Sequence, residues 1–406
     1  MDYDIIIIGG GASGLMAAAS AASGANRVLL LEKNEKLGKK LYITGKGRCN
    51  ITNACDIQGM LDATITNAYF LYSPFYALPP DALISLLNEA GVATKIERGN
   101  RVFPTSDKSS DVIAGLERLT QGHGAQVRLN AAVSAVHQAD GGFCVTLDSE
   151  TLTTRKVIIT TGGLSYPATG STGDGLNFAC ALGHKVTQTH PALVPLICAE
   201  KWAAELMGLS LKNVALTAKI KGRQVYGGFG ELLFTHFGIS GPLALSASAY
   251  IAGHSRAKVN IDLKPALDAA TLNARLLRDF AQNQNRAIKN ALDELLPKSL
   301  IPIIISAAGI NPDKKIHSIT KDERNRLIAA LKGLEMNITG NRGYKEAVIT
   351  AGGVDVKQID PSTMESKLIP GLYFAGEVLD IHALTGGYNL QIAFCTGHLA
   401  GLSAAH

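Results

Sequence analysis

The sequence predicts an α/β fold with a parallel sheet, interrupted by a long insertion that has a β part and a helical part. Three observations lead there. The N-terminus runs strand, glycine turn, helix, strand. A second strand–glycine–helix element stands at the far C-terminus. Between them the texture changes near residue 191, and again near residue 265, before short strands return from Gly343.

Composition sets the frame. The chain has 406 residues, enough for two or three domains, and 46% of them are apolar against 18% charged. That is a globular balance and not a disordered one. The net charge of +5 is spread along the chain. It favours an anionic substrate but does not by itself indicate nucleic acid. Six cysteines occur without a CxxC pair and without zinc spacing, so they read as reduced thiols and no metal is expected. No apolar run approaches the ~20 residues of a membrane span. The Ile5–Ile8 run is too short for the core of a signal peptide. These features point to a cytoplasmic protein with no membrane partner.

Ile5–Ile8 is the continuous apolar run of a parallel strand buried on both faces. Gly9, Gly11 and Gly14 follow in G-x-G-x-x-G spacing. Gly9 permits the turn, Gly11 lets the backbone approach a pyrophosphate, and Gly14 lets the helix pack on the strand. Ala12 and Ser13 complete this turn. A slim alanine-rich helix is expected over Ser13–Ser23, its free N–H groups aimed at phosphates. Val28–Leu31 is the second strand, and Glu32 at its end is placed to bind an adenosine ribose. A lone GxGxxG is weak evidence. With the strand before, the helix after and the acid beyond, it predicts a dinucleotide site.

The basic, glycine-rich segment from Lys33 through Lys40 to TGKGRCNITN (Thr44–Asn53) follows. It is not a Walker A loop, because Lys46 is followed by Gly47. It is expected to lie along the cofactor, with Lys33, Lys40, Thr44, Gly45, Gly47, Arg48, Cys49 and Asn50 in contact. Lys46 or Arg48 would offset anionic charge. Cys49 reads as a packing residue near the ring, with a redox thiol as the alternative. Asp81–Ala90 has an N-cap Asp and helical spacing, and Ser110–Leu119 reads similarly. Val133 is placed with the cofactor contacts. Phe143–Leu147 and Lys156–Thr161 read as strands, and Thr161, Gly162 and Gly163 carry the chain back past the cofactor.

After His190-Pro191 come alternating strand patterns such as Val214–Ile220 and Val259–Leu263. From about Pro265 to Gly333 the pattern is helical and charged. Residues 1–190 and 345–406 are therefore expected to form a discontinuous nucleotide-binding domain, 191–264 with about 334–344 a β-rich insert, and 265–333 a helical insert. At the C-terminus Leu372–Ala375 is a short strand ending at Gly376 and Glu377, a carboxylate placed for a ribityl chain. Gly387, Tyr388, Asn389 and Leu390 then open a helix whose positive end would stabilise the charge of a reduced flavin. Together with the N-terminal motif, this element selects FAD.

IIGGGASGL, TGKGRCNITN, TTGGLSYPATGSTGDG, GELLFTHFGISGPLALS, AGGV and GLYFAGEVLDIHALTGGYNLQIA span nearly the whole chain. In combination they resemble the HI0933-like (BaiN-like) family of FAD-dependent oxidoreductases. The family pattern often has glycine where Lys46 stands. The resemblance implies a Rossmann-type FAD domain, a small β-barrel-like domain, a helical domain and tightly bound FAD. It implies no single substrate, because relatives differ in reaction.

The expected reaction is reduction of an unsaturated small molecule with electrons from NAD(P)H. No second GxGxxG is present, so NAD(P)H would bind transiently over the flavin. Two alternatives stay open. One is oxidation of a small amine. The other is reduction of a uridine in RNA, suggested by Lys33, Lys36, Lys39, Lys40, Lys46 and Arg48, and by Lys212, Lys219, Lys221 and Arg223. Tyr388 and His236 are the acid–base candidates, with Tyr166 and His382 weaker.

Overall fold

The structure is a computed structural model that describes every residue except 23 and 255. Its contacts divide into two compact units, Met1–Ala192 with Tyr344–His406, and Leu193–Gly343.

The first unit is built on a mixed sheet. Strand Tyr3–Ile8 lies parallel between Val28–Leu31 and Thr151–Ile159, in register Ile8↔Leu31 and Ile8↔Ile159. Gln126–Arg128 adds to the Val28–Leu31 edge. Ile5–Ile8 are buried, as expected of a strand covered on both faces. The long strand Thr151–Ile159 is shared on its other side. Its first half pairs antiparallel with Gly142–Leu147 (Phe143↔Thr154), and its second half pairs parallel with Leu372–Phe374 (Leu372↔Val157). The C-terminal segment is thereby stitched into the N-terminal sheet.

The ladder ends at Ile159 rather than at Thr161. Thr160 turns its hydroxyl back to the carbonyls of Ile8 and Gly9, 2.9 Å from each, and so leaves the strand pattern. The first helix is Ala12–Ala21, and Ser23, its expected last residue, lies outside the described residues. The helix expected to start from an Asp81 cap is Pro80–Glu89. Pro79 occupies the cap, Pro80 the first helical position, and Asp81 falls inside the first turn. Proline's fixed φ suits that first position, where its missing N–H costs nothing. The C-terminal helix Tyr388–Ala405 packs directly on Ala12–Ala21. A Cβ on Gly397 would lie 2.3 Å from the Ser13 carbonyl oxygen, and one on Gly401 2.4 Å from that of Ala17. These two glycines set the approach of the helices.

In the second unit, Leu196–Cys198, Gly238–Ser240, Arg223–Thr235, Ser210–Ile220, Ala257–Asp262 and Leu334–Asn341 close into an antiparallel barrel. Helices Ala269–Gln282, Ile301–Ala307 and Lys321–Lys332 carry apolar stripes that include Leu272, Leu276, Phe280, Ile304, Leu327 and Leu331. Those stripes and the barrel's Leu216, Val259 and Ile338 form one apolar cluster. The helices expected as a separate insert thus share a core with the barrel, which gives their apolar faces a surface to cover.

Candidate cofactor site

A cleft in the first unit encloses about 1090 Å³ of empty space, its open mouth included. The glycine turn forms one wall. Gly9 has φ +108°, and a Cβ there would sit 2.7 Å from the Thr160 carbonyl oxygen. A Cβ on Gly14 would sit 1.8 Å from the Gly9 oxygen, whereas one on Gly11 would meet no protein atom within 4 Å. Gly9 and Gly14 are thus required by the protein, and Gly11 leaves open space facing the cleft. Among the described residues no side chain caps the helix that starts at Ala12, and no acid lies in its first turn. The Ser13 hydroxyl is buried, lines the cleft and has no hydrogen-bond partner among the described residues. Uncapped N–H groups, a helix N-terminus and an unsatisfied hydroxyl form an anion site that suits a pyrophosphate.

Glu32 is buried at one end of the cleft. Its carboxylate accepts from the Gly10 amide (2.7 Å), the Asn34 amide (2.8 Å) and the Asn34 side-chain nitrogen (2.6 Å). A carboxylate has roughly four acceptor positions, so capacity remains for a sugar hydroxyl. Asn34, which also donates to the Thr169 carbonyl at 3.2 Å, went unnoticed in the sequence. Its signal was its place two residues beyond the strand-end acid.

At the other end, Glu377 accepts from Ser165 Oγ (2.7 Å), the Thr350 amide (2.8 Å) and Lys40 Nζ (2.5 Å). Lys40 and Glu377 were expected near the cofactor separately, and the structure pairs them. Gly163 must be small here, since a Cβ would lie 2.5 Å from Thr350 Oγ1. Gly376 has φ +79°, and its Cβ would lie 2.8 Å from Ser13 Cβ. Thr161 and Gly162 line the cleft, and the Thr161 hydroxyl accepts from the Gly175 amide at 3.1 Å. Asn389 pins the preceding loop, accepting from the Ala383 amide and donating to its carbonyl, each at 2.9 Å. With Leu390, it brings the uncapped N-terminus of the C-terminal helix to the cleft.

The TGKGRCN segment does a different job from the one expected. Only Thr44 of it lines the cleft. Arg48 turns to Glu97 and Asp107, each at 2.5 Å, and lies 4.2 Å over the Phe103 ring. Those partners leave it no role in offsetting cofactor charge. With its amide oriented to satisfy both ends, Asn50 accepts from the Gly387 amide at 3.0 Å and donates to the Thr52 carbonyl at 3.2 Å. A Cβ on Gly387 would lie 2.3 Å from the Thr52 oxygen. The segment therefore clamps the start of the C-terminal helix. Gly45, Lys46 and Gly47 make its turn, with φ of +61°, +59° and +85°. Lys46 is strained there, and Lys46→Gly is expected to stabilise the protein by about 1 kcal/mol in urea unfolding.

Cys49 is fully buried, and burial pushes its thiol up to about 12. It is a neutral thiol at pH 7–9, which removes the redox-thiolate reading. Cys49→Ala is expected to cost about 1 kcal/mol of stability for its small cavity. Turnover should be unchanged, and the native thiol should resist iodoacetamide at pH 8.

Other expected contacts fall elsewhere. Lys33 is tied to Asp174 (2.7 Å) and Thr172 (2.6 Å). Val133 lines a smaller cavity, with about 340 Å³ of empty space, beside Glu32 and Lys33. The Tyr388 ring lies over Gly386 and not in the cleft lining, and burial raises its phenol above the ordinary tyrosine range. Tyr388→Phe is accordingly expected to hold kcat within about threefold, against the 10²–10⁴ loss of a true proton donor. His236 belongs to the second unit, its ring edge-on to Phe237 at 4.9 Å. Tyr166 stands at φ +53°, and His382 Nδ1 is 2.9 Å from Thr66 Oγ1.

The family model of the HI0933-like protein Rossmann domain matches residues 3–403. The chain belongs to the HI0933-like family. This HI0933-like chain is 31% identical over 398 residues to a 3-dehydro-bile acid delta(4,6)-reductase of Clostridium scindens, across 94% of this chain and 93% of that one. It is 32% identical over 392 residues to a ribosomal RNA dihydrouridine synthase of Escherichia coli, across 97% and 95%. One of the same name from Haemophilus influenzae is 33% identical over 387 residues, across 93% and 92%. Among solved structures, 3-ketosteroid delta1-dehydrogenase of Sterolibacterium denitrificans superposes with TM-score 0.53 at 14% identity, covering 99% of each chain. The 3-ketosteroid-delta4-(5alpha)-dehydrogenase of Rhodococcus jostii RHA1 gives 0.50 at 16% identity, covering 100% and 97%. At these identities the structures show a shared fold. Family and fold make this chain an FAD-dependent oxidoreductase, and the cleft's acid, anion site and second helix terminus fit that cofactor. Among the described residues no helix is long and apolar enough to cross a membrane.

Proposed function

We propose that this HI0933-like chain reduces a carbon–carbon double bond conjugated to a carbonyl, with electrons from NAD(P)H. One observation carries the reading. Relatives of nearly equal identity across more than nine-tenths of the chain are named for a 3-dehydro-bile acid delta(4,6)-reductase and for dihydrouridine synthases. The names differ in substrate but share one chemical step, saturation of an alkene activated by a carbonyl. FAD would supply two-electron hydride chemistry in this step.

The chain's own groups then have defined tasks. The Gly9–Gly14 turn and the Ser13 hydroxyl hold the pyrophosphate. Glu32 orients the adenosine ribose. Glu377, set by Lys40, Ser165 and Thr350, holds the ribityl hydroxyls. The N-terminus of the Tyr388–Ala405 helix, which reaches the cleft through Asn389 and Leu390, would favour negative charge on a flavin bound there.

The test is a comparison of acceptors. Flavin-loaded protein is incubated under nitrogen with NADH or NADPH and either a cyclic enone or the matching isolated alkene. A two-hydrogen mass gain is expected for the enone alone. Turnover of neither acceptor, or peroxide formation from an amine in air, would contradict the reading.

A further inference from the structure

The two longest barrel strands of the second unit, Ser210–Ile220 and Arg223–Thr235, form a hairpin that the flavin chemistry does not use. Ile220 pairs with Arg223, so the turn is only Lys221-Gly222, with φ of +48° and +82°. That is the tight geometry of a two-residue hairpin. Val214, Leu216 and Ala218 are buried in the barrel, so Thr217 and Lys219 point outward.

The hairpin's tip has an unusual make-up, with Lys219 on the outer face and Arg223, the partner of Ile220, on the other side. Lys221 and Arg223 are exposed and Lys219 is half-buried. None of the three forms an ion pair among the described residues. On the next two barrel strands, Asp262 is ion-paired with Lys332 and Glu335 with Lys258, each at 2.6 Å. Glu231 is exposed on the same strand, two residues beyond Phe229 and eight from Arg223. Phe229 stands outward and 65% exposed, with Gly227, Gly228 and Gly230 around it. The flanking glycines leave its ring open. An unpaired basic tip lies six residues, about 20 Å at roughly 3.3 Å per residue, along the strand from a bare aromatic ring that pairs with Ala215, a spacing that suits an extended single strand of a few nucleotides, cations on phosphate and ring on base.

We propose that this hairpin is a contact surface for single-stranded RNA. The inference deepens the proposed function, since uracil is a carbonyl-conjugated alkene that RNA would carry.

The test uses the flavin-loaded full chain and a fluorescent 12-mer of oligouridylate, followed by anisotropy across a salt series. The Lys219→Glu, Lys221→Glu, Arg223→Glu variant is expected to bind at least about tenfold more weakly. Its log–log salt slope should shrink by about 2, near 0.7 per lost phosphate contact. Phe229→Ala is expected to weaken binding about fivefold or more, for one lost base stack. Both variants should reduce a cyclic enone at the wild-type rate, which also reports correct folding. No binding by the wild type, or equal binding by the triple variant, overturns the surface. Variant-sensitive RNA binding without enone reduction leaves the surface standing and removes the conjugated-alkene reading.

Discussion

Gly14→Ala is expected to yield a colourless protein destabilised by about 3 kcal/mol, the upper range for overpacking a close contact. The added methyl would lie 1.8 Å from the Gly9 carbonyl oxygen and 2.7 Å from Thr160 Oγ1. The first of these is backbone, so the helix has to move. Moving it carries the Ser13 hydroxyl and the helix N-terminus away from the cleft, and the anion site goes with them. Gly11→Ala is the matched control. Its methyl meets no protein atom within 4 Å, so stability should change by less than about 0.5 kcal/mol. Only flavin affinity should fall, because the space taken is the ligand's. Urea unfolding of the apoproteins with FAD titration separates the two effects. Equal destabilisation by both variants would contradict the assignment of Gly11 to the ligand and Gly14 to the fold.

The second large effect concerns Lys40 and Glu377, 2.5 Å apart with side chains 25% and 19% exposed. Removing either partner leaves a mostly buried charge short of a partner. Lys40→Met and Glu377→Gln are each expected to weaken FAD binding by about 2 kcal/mol, roughly 30-fold, as for a charge-assisted bond. The double variant should lose less than the sum, with a coupling of at least about 1 kcal/mol. Additive losses in FAD titrations would show that the pair does not act as a unit.

Much of the site was legible because its signals are local. Ile5–Ile8, the three glycines and Glu32 are explained within one strand–turn–helix–strand unit. Glu377 was legible for the same reason, at the end of a short strand beside a glycine. What sequence reading missed lies between distant segments. Nothing in the chain around Arg48 announces Glu97 or Asp107, so the arginine was assigned to the cofactor. Asn50 was assigned there too, although its bond to Gly387 makes it a clamp on the far helix. The Lys40–Glu377 pair spans most of the chain, and so does the contact of Gly397 and Gly401 with the first helix. The sharing of strand Thr151–Ile159 between two partners depends on register, which an apolar run does not specify.

The most direct test of the central claim is an anaerobic stopped-flow experiment in two steps. Flavin-loaded protein is mixed with NADPH or NADH while the flavin band is followed, and the bleached protein is then mixed with a carbonyl-conjugated alkene. The account expects bleaching by one nucleotide and recovery of colour by the conjugated alkene, with no recovery by its unconjugated isomer. A band that neither nucleotide bleaches, or bleached protein that recovers only with oxygen, would contradict it.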